Sequence, residues 1–267
     1  MMALLTVLSM LFPLAALSAG EQIQVMPVAK TPESNTVVLA LAVPKEGKVL
    51  SGNPVWIQFR LDGYALGAGS SQFARAKEIP ESKLGQTVHV VIDDMPYFAV
   101  KGIEVQPFNE EGFYYDTSFK FEVPFRLKPG MHTIRMFPAR SFGESLKGDK
   151  VYVASYFYVE NMSHPIDVNF NAPYITYNEP SDEMPLNVEQ PVLLDFYVSN
   201  CELTPDGYKV RLTVDGKVQR TLTSWQPYYI YGLKKGKHTI RLELINAKGM
   251  KVAGPFNDVQ QTIHLKD

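Results

Sequence analysis

One cysteine, Cys201, stands among 267 residues, so no disulfide can form within the chain and the fold must rest on its apolar cores. Its neighbourhood, SNCELTPD, offers acids and no base to activate a thiolate, which leaves Cys201 a small buried hydrophobe. An excess of one charge is also missing. Twenty-six basic residues oppose 28 acidic ones, for a formal charge of −2, so no overall field gathers nucleic acid or an anionic membrane. No stretch after the first 20 residues keeps a helical period over a dozen positions, which excludes a helical bundle or an α/β enzyme core.

The usual marks of catalysis are absent as well. The sequence has no phosphate loop, dinucleotide fingerprint, HExxH or GxSxG. The carboxylate pairs Asp93-Asp94, Glu110-Glu111 and Asp182-Glu183 fall in turn-like segments or alternate across a strand. No two of the histidines (His89, His132, His164, His238, His264) have metal-ligand spacing, and no Met/His cluster occurs. No catalytic residue, metal or cofactor is therefore expected.

What is present begins with an export signal. Residues Ala3 to Ala19 carry no charge, Pro13 interrupts the run, and Ala15, Ala16, Ser18, Ala19 and Gly20 supply a small-residue cleavage region. The expectation is a signal over 1–20, export to a periplasm, cell envelope or extracellular space, and membrane contact only through this segment if it stays uncleaved. With a single cysteine, a bacterial envelope is favoured over a eukaryotic exterior, where small β domains are usually stapled.

The rest of the chain repeats itself. LKPGMHTIR (127–135) and LKKGKHTIR (233–241) agree at seven of nine positions, 106 residues apart. The match extends outward. VPKEGKVLSGNPVWIQFRL (43–61) lies over EPSDEMPLNVEQPVLLDFYV (179–198), and VHVVIDD (88–94) over VRLTVDG (210–216). The order of pieces is that of a duplicated domain. Each piece alternates as a strand: Val55, Ile57, Phe59 and Leu61 inward in one copy, Val192, Leu194, Phe196 and Val198 in the other. HTIRLEL puts His238, Ile240, Leu242 and Leu244 on one face. His132 and His238, copy-equivalent, are expected as hydrogen-bonded inward positions, whereas His89 and His264 alternate with apolar residues and are expected outward.

The reading is an all-β protein of two tandem sandwiches. A 21–35 extension precedes a first sandwich (36–160) with two insertions, a linker (161–173) rich in Asn and Pro, and a second sandwich (174–267). The L-x-P-G-x-H-T corner resembles that of fibronectin type III and bacterial immunoglobulin-like modules. The run VHVVIDDMPYF…LKPGMHTIRMFPARSFGESLK is similar to poorly characterised exported bacterial domains. The resemblance implies an immunoglobulin-like sandwich and little about activity.

The copies differ by 15 and then 16 extra residues in the first unit, within 62–87 and 95–125. Additions to a compact scaffold are a usual place for function. The candidate ligand-binding residues there are Tyr97, Phe98, Phe108, Phe113, Tyr114 and Tyr115. The second unit adds Trp225, Tyr228 and Tyr229 from SWQPYYIYG, where Tyr231 follows. The competing role for these rings is packing within a sandwich or between the two. The basic turn Lys234, Lys235, Lys237 reads as a soluble hairpin tip. Together these features predict an exported, non-enzymatic interaction or structural module with a protein partner in the envelope. The alternative is a carbohydrate- or small-ligand-binding module using the aromatic insertion.

Overall fold

The structure, a computed structural model, describes residues 23–105 and 118–267. The strands begin with β1 (Gln24–Pro27), β2 (Val38–Val43), β3 (Val49–Leu50), β4 (Trp56–Asp62), β5 (Thr87–Ile92) and β6 (Phe98–Val100). Next come β7 (Ile103–Val105), β8 (Ser118–Glu122), β9 (Gly130–Ala139) and β10 (Val153–Val159). The second half has β11 (Tyr174–Glu179), β12 (Val192–Ser199), β13 (Lys209–Val214), β14 (Lys217–Leu222), β15 (Tyr228–Tyr231), β16 (Gly236–Ile245) and β17 (Asp258–Leu265). They form four sheets, ordered β2-β4-β8-β7, β3-β10-β9-β5-β6, β1-β15-β12-β11 and β14-β13-β16-β17. The fold is all-β.

The inward alternation read from the sequence builds the two cores. Val55, Ile57, Phe59 and Leu61 meet Val88, Val90, Ile92, Ile134 and Met136 in the first. Val192, Leu194, Phe196 and Val198 meet Val210, Leu212, Val214, Ile240, Leu242 and Leu244 in the second. Each such side chain contributes roughly 1.5–3 kcal/mol by leaving water, which is what replaces the missing disulfides.

The repeated nine residues have a definite task. Asp93 and Asp215 end β5 and β13 in left-handed backbone, φ 55° and 49°, a conformation that Asp tolerates better than most residues. The Thr133 N–H donates to Asp93 Oδ1 at 2.8 Å, and His132 Nδ1 lies 2.8 Å from Oδ2. His132 Nε2 reaches the Lys128 carbonyl at 2.9 Å. The second copy repeats this with Thr239, His238, Asp215 and the Lys234 carbonyl, at 2.8, 2.7 and 2.7 Å. The conserved letters thus tie the start of β9 or β16 to the turn after the neighbouring strand. The histidines are hydrogen-bonded as expected, but they lie at the strand ends, and His238 is only half-buried. At His132 burial pulls the imidazole pKa down, and the Asp93 and Lys128 acceptors more than offset it, so the net shift is upward. Two acceptors facing one ring favour the doubly protonated form.

The copies also share a switch between sheets. β3 pairs in parallel with β10 through Val49↔Tyr158 and Leu50↔Val159, and Asn187 bridges Lys266 in parallel at the equivalent place. They differ at one edge. In the first sandwich β7, from the second insertion, pairs with β8. The second sandwich has no such insertion, and β1 from the N-terminal arm pairs with β15 instead, from Gln24↔Tyr231 to Pro27↔Tyr228. Val25 joins the second core. The extension before residue 36 is therefore partly an element of the second sandwich, covering an edge whose backbone groups would otherwise lack partners.

Replacing Asp93 with Ala should cost about 1–3 kcal/mol, because buried donors lose their acceptor. Asp215→Ala should cost less, since its side chain is 42% exposed against 25% for Asp93. Urea midpoints of the two variants measure this, and an equal loss would contradict the ordering.

Candidate functional site

In an isolated two-layer sandwich each strand buries alternate residues. Here all six residues of β5 and all six of β11 are buried, and β9 and β12 are buried on both faces. The outer face of the β5–β9 sheet lies against the outer face of the β11–β12–β15 sheet. The outcome is a four-sheet stack with a third, polar and aromatic layer in its middle.

That joint gathers most of the chain's buried chemistry. His89, expected outward, does leave its own core, but it is 2% exposed because the second sandwich covers it. Its ring stacks on Tyr97 with centroids 3.8 Å apart, and its Nδ1 lies 2.7 Å from Asn178 Oδ1. The Asn178 amide nitrogen donates to the Gly143 carbonyl at 2.7 Å and to Asp195 Oδ2 at 2.8 Å. The amide is thus oriented by two acceptors, and His89 Nδ1 must carry the proton. Gly143 comes so close that an added Cβ would sit 2.9 Å from Glu179 Oε1. A register shift between Tyr177 and Glu179 turns both Asn178 and Glu179 into the joint. Tyr97 donates to Glu179 Oε1 at 2.5 Å.

Further along, Lys147 Nζ contacts Asp195 Oδ1 at 2.5 Å, with side chains 2% and 0% exposed. Arg135 donates to Thr176 at 3.1 Å and stacks 3.8 Å over Phe256. At the arm, the Thr31 N–H and hydroxyl donate to Glu144 at 2.9 and 2.5 Å, and Arg75 Nε pairs with Glu144 at 2.9 Å. Burial lowers the His89 pKa to about 4, only partly offset by the Asn178 hydrogen bond and the Asp195 charge. Burial raises Glu179 well above the usual carboxylate range, against the opposing pull of Tyr97 and Ser181. His89 is therefore neutral at neutral pH, and burial disfavours the charged form of Glu179.

The aromatic candidates divide accordingly. Tyr97 and Tyr229 are buried in the joint, the latter donating to Glu78 Oε2 at 2.6 Å. Phe98 packs on the first core against Phe121 and Phe125. Tyr228 is buried in the second core. Trp225 is half-buried at the rim of the joint, donating to the Phe196 carbonyl at 2.8 Å, with Lys30 Nζ 5.1 Å over its ring. Phe108, Phe113, Tyr114 and Tyr115 lie outside the described residues. Among the described residues no group of three His, Cys, Asp or Glu side chains could hold a metal ion.

A different surface carries an open concavity. Gln24, Val188, Tyr231, Gly232, Leu233, Lys234 and Lys235 line a depression of about 710 Å³ where β1 meets the corner after β15. Tyr231 is 42% exposed there and meets Tyr229 edge-on, 6.1 Å between centroids. A half-wet Tyr beside lysines and an amide suits a polar ligand or a protein partner. Gln24 could not be assigned to this place from sequence, because it arrives from the other end of the chain. The one available hint was Tyr231 following Tyr229 at strand spacing.

No known family matches the chain, and no curated protein does. Among solved structures it is similar to the fibronectin(III)-like modules of Clostridium thermocellum CbhA, at 12% identity and TM-score 0.29, over 86% of this chain and 94% of that one. It is also similar to dimeric latent PorU from Porphyromonas gingivalis, at 14% identity and TM-score 0.28, over 88% of this chain and 21% of that one. A third is the Bacteroides ovatus mixed-linkage glucan utilization locus protein SGBP-B in complex with a mixed-linkage heptasaccharide. There the identity is 15% and the TM-score 0.19, over 90% of this chain and 47% of that one. The chain thus spans less than half the length of these last two.

The joint has a pH signature. His89 falls from its ordinary 6.5 to about 4 in the folded state, so unfolding takes up a proton between those values. Relative to His89→Gln, the wild-type chain should lose about 3 kcal/mol of stability as pH drops through that window, and nothing more below it. Urea denaturation of both chains at pH 7, 5.5 and 4 measures the difference, and a constant difference would remove His89 as a buried neutral group.

Proposed function

We propose that the chain is an exported, non-enzymatic module of the cell envelope that acts through protein–protein contacts. What supports this reading is the use made of the buried polar groups. His89, Asn178, Lys147, Asp195, Arg75 and Glu144 are spent on holding one sandwich to the other, with side chains closed to solvent. Groups so engaged fix the orientation of one sandwich on the other. A rigid two-sandwich body presents distant surfaces at a fixed angle, which suits a scaffold or adaptor.

The depression at Tyr231 is the surface we assign to the partner. A photo-crosslinking residue in place of Tyr231 should give one discrete protein adduct in native envelopes, and the same residue in place of Glu46, in a turn of the first sandwich, should give none. Absence of an adduct at Tyr231, or turnover of any substrate by the purified chain, would defeat the proposal.

A second reading, glycan binding, is favoured by the same half-exposed ring, since a tyrosine face can stack on a sugar. Under it, Tyr231→Ala should abolish retention on a glycan column with the melting temperature nearly unchanged, whereas Tyr229→Ala should lower the melting temperature. Retention that survives Tyr231→Ala excludes this site.

A further inference from the structure

Lys147 and Asp195 form the most enclosed charged pair in the joint. Lys147 lies in the loop after β9 of the first sandwich, and Asp195 in the middle of β12 of the second. Nζ is 2.5 Å from Oδ1, 2.8 Å from Ser145 Oγ and 3.2 Å from the Ser145 carbonyl. The two carboxyl oxygens are in different surroundings. Oδ2 accepts from the Ser145 N–H at 3.1 Å, the Ser145 hydroxyl at 2.5 Å and the Asn178 amide at 2.8 Å. Oδ1 faces Lys147 Nζ.

This is the arrangement an acyl transfer needs. A nucleophile is held against one side of a carboxyl group, three donors converge on the oxygen that would gather negative charge, and bulk water is shut out. We propose that Lys147 and Asp195 join in an amide bond that covalently links the two sandwiches. Lys147 passes a proton to Oδ1 across the 2.5 Å contact, the freed Nζ lone pair attacks Cγ, a C–N bond forms, and Oδ2 carries the developing charge within its three donors. The Cγ–Oδ1 bond then breaks. Oδ1 leaves as water with two protons that began on the Lys147 ammonium, and the third stays on the amide nitrogen. The step is neutral overall and needs no oxidant, cofactor or second reactant.

The surroundings supply the remaining requirements. Glu179 is the cross-strand partner of Asp195 in the β11–β12 ladder. Burial raises its pKa, which disfavours two carboxylate charges facing each other across the ladder. The Tyr197 ring lies 5.8 Å from Nζ and helps close the site. Once made, the amide is kept from hydrolysis by the same exclusion of water.

The test is the mass of the full chain, purified and denatured. The bond predicts a polypeptide about 18 Da lighter than its sequence requires, the mass of one water. It also predicts a branched tryptic peptide joining the segments around Lys147 and Asp195, with no cleavage after Lys147. Lys147→Arg, which keeps the charge and cannot form this amide, should restore the full mass. Unmodified mass in the wild-type chain overturns the proposal, and so does a water loss that maps to any other pair. Neither outcome depends on the variant folding, because the wild-type measurement decides alone.

Discussion

The joint between the two sandwiches is arranged around one buried carboxylate. Asp195 has no exposure and sits mid-strand in a run, VLLDFYV, that is otherwise apolar or aromatic. A lone carboxylate in that position would be prohibitive, so partners must come to it. Three residues come to it from two sides: Lys147 and Ser145 from the first sandwich, and Asn178 from the adjacent strand. Two apolar sheet faces could slide over each other at little cost. Two faces whose carboxylate, ammonium and amide must meet within hydrogen-bond distance cannot. The net stability of such a pair is small, but removing one partner costs about 3–5 kcal/mol, and that asymmetry makes the joint a specific one.

The duplication explains what had to be kept and what could change. Each copy keeps the Asp–Thr–His clasp, because each sandwich must anchor its long strand to the neighbouring turn. Each copy also needs its sheet edge covered, and here the solutions part. The first copy carries its own edge strand, β7, in an insertion, and the second takes β1 from the opposite end of the chain. The arm that delivers β1 is fastened on the way by Thr31 and Glu144, with Arg75 completing the contact. The N-terminal arm therefore stitches the two sandwiches a second time, independently of Asp195.

The cores were legible in the sequence and the joint was not, for one physical reason. Period-two alternation identifies the face that leaves water in a two-layer sandwich, and Ile57, Phe59, Leu194 and Phe196 follow it. It assigns the other face to solvent, so His89 reads as an outward-pointing polar residue. A third layer reverses its environment without changing the pattern. Asp195 was the available signal, a single charge inside an apolar strand. The aromatic candidates were legible as a group but not in their destinations. Tyr97 and Tyr229 reach the joint and Tyr228 a core, since neighbours on a strand take opposite faces. The Tyr231 depression was hidden because its wall is made of segments that sequence distance separates.

That last point bears on how the site and the scaffold relate. Gln24 reaches the depression because β1 is held against β15, and β1 is held there because its arm is fixed to the first sandwich. Val188, Tyr231 and the lysines of the corner belong to the second. The concavity is therefore completed by the joint rather than carried by either sandwich alone. The clasp, the edge strand and the buried carboxylate act on the same outcome: they determine whether the first unit's arm lies where the second unit needs it. A surface built this way is absent from a partly folded or misdocked chain. Binding at Tyr231 would then report that the whole two-sandwich body has assembled, which a single sandwich cannot supply.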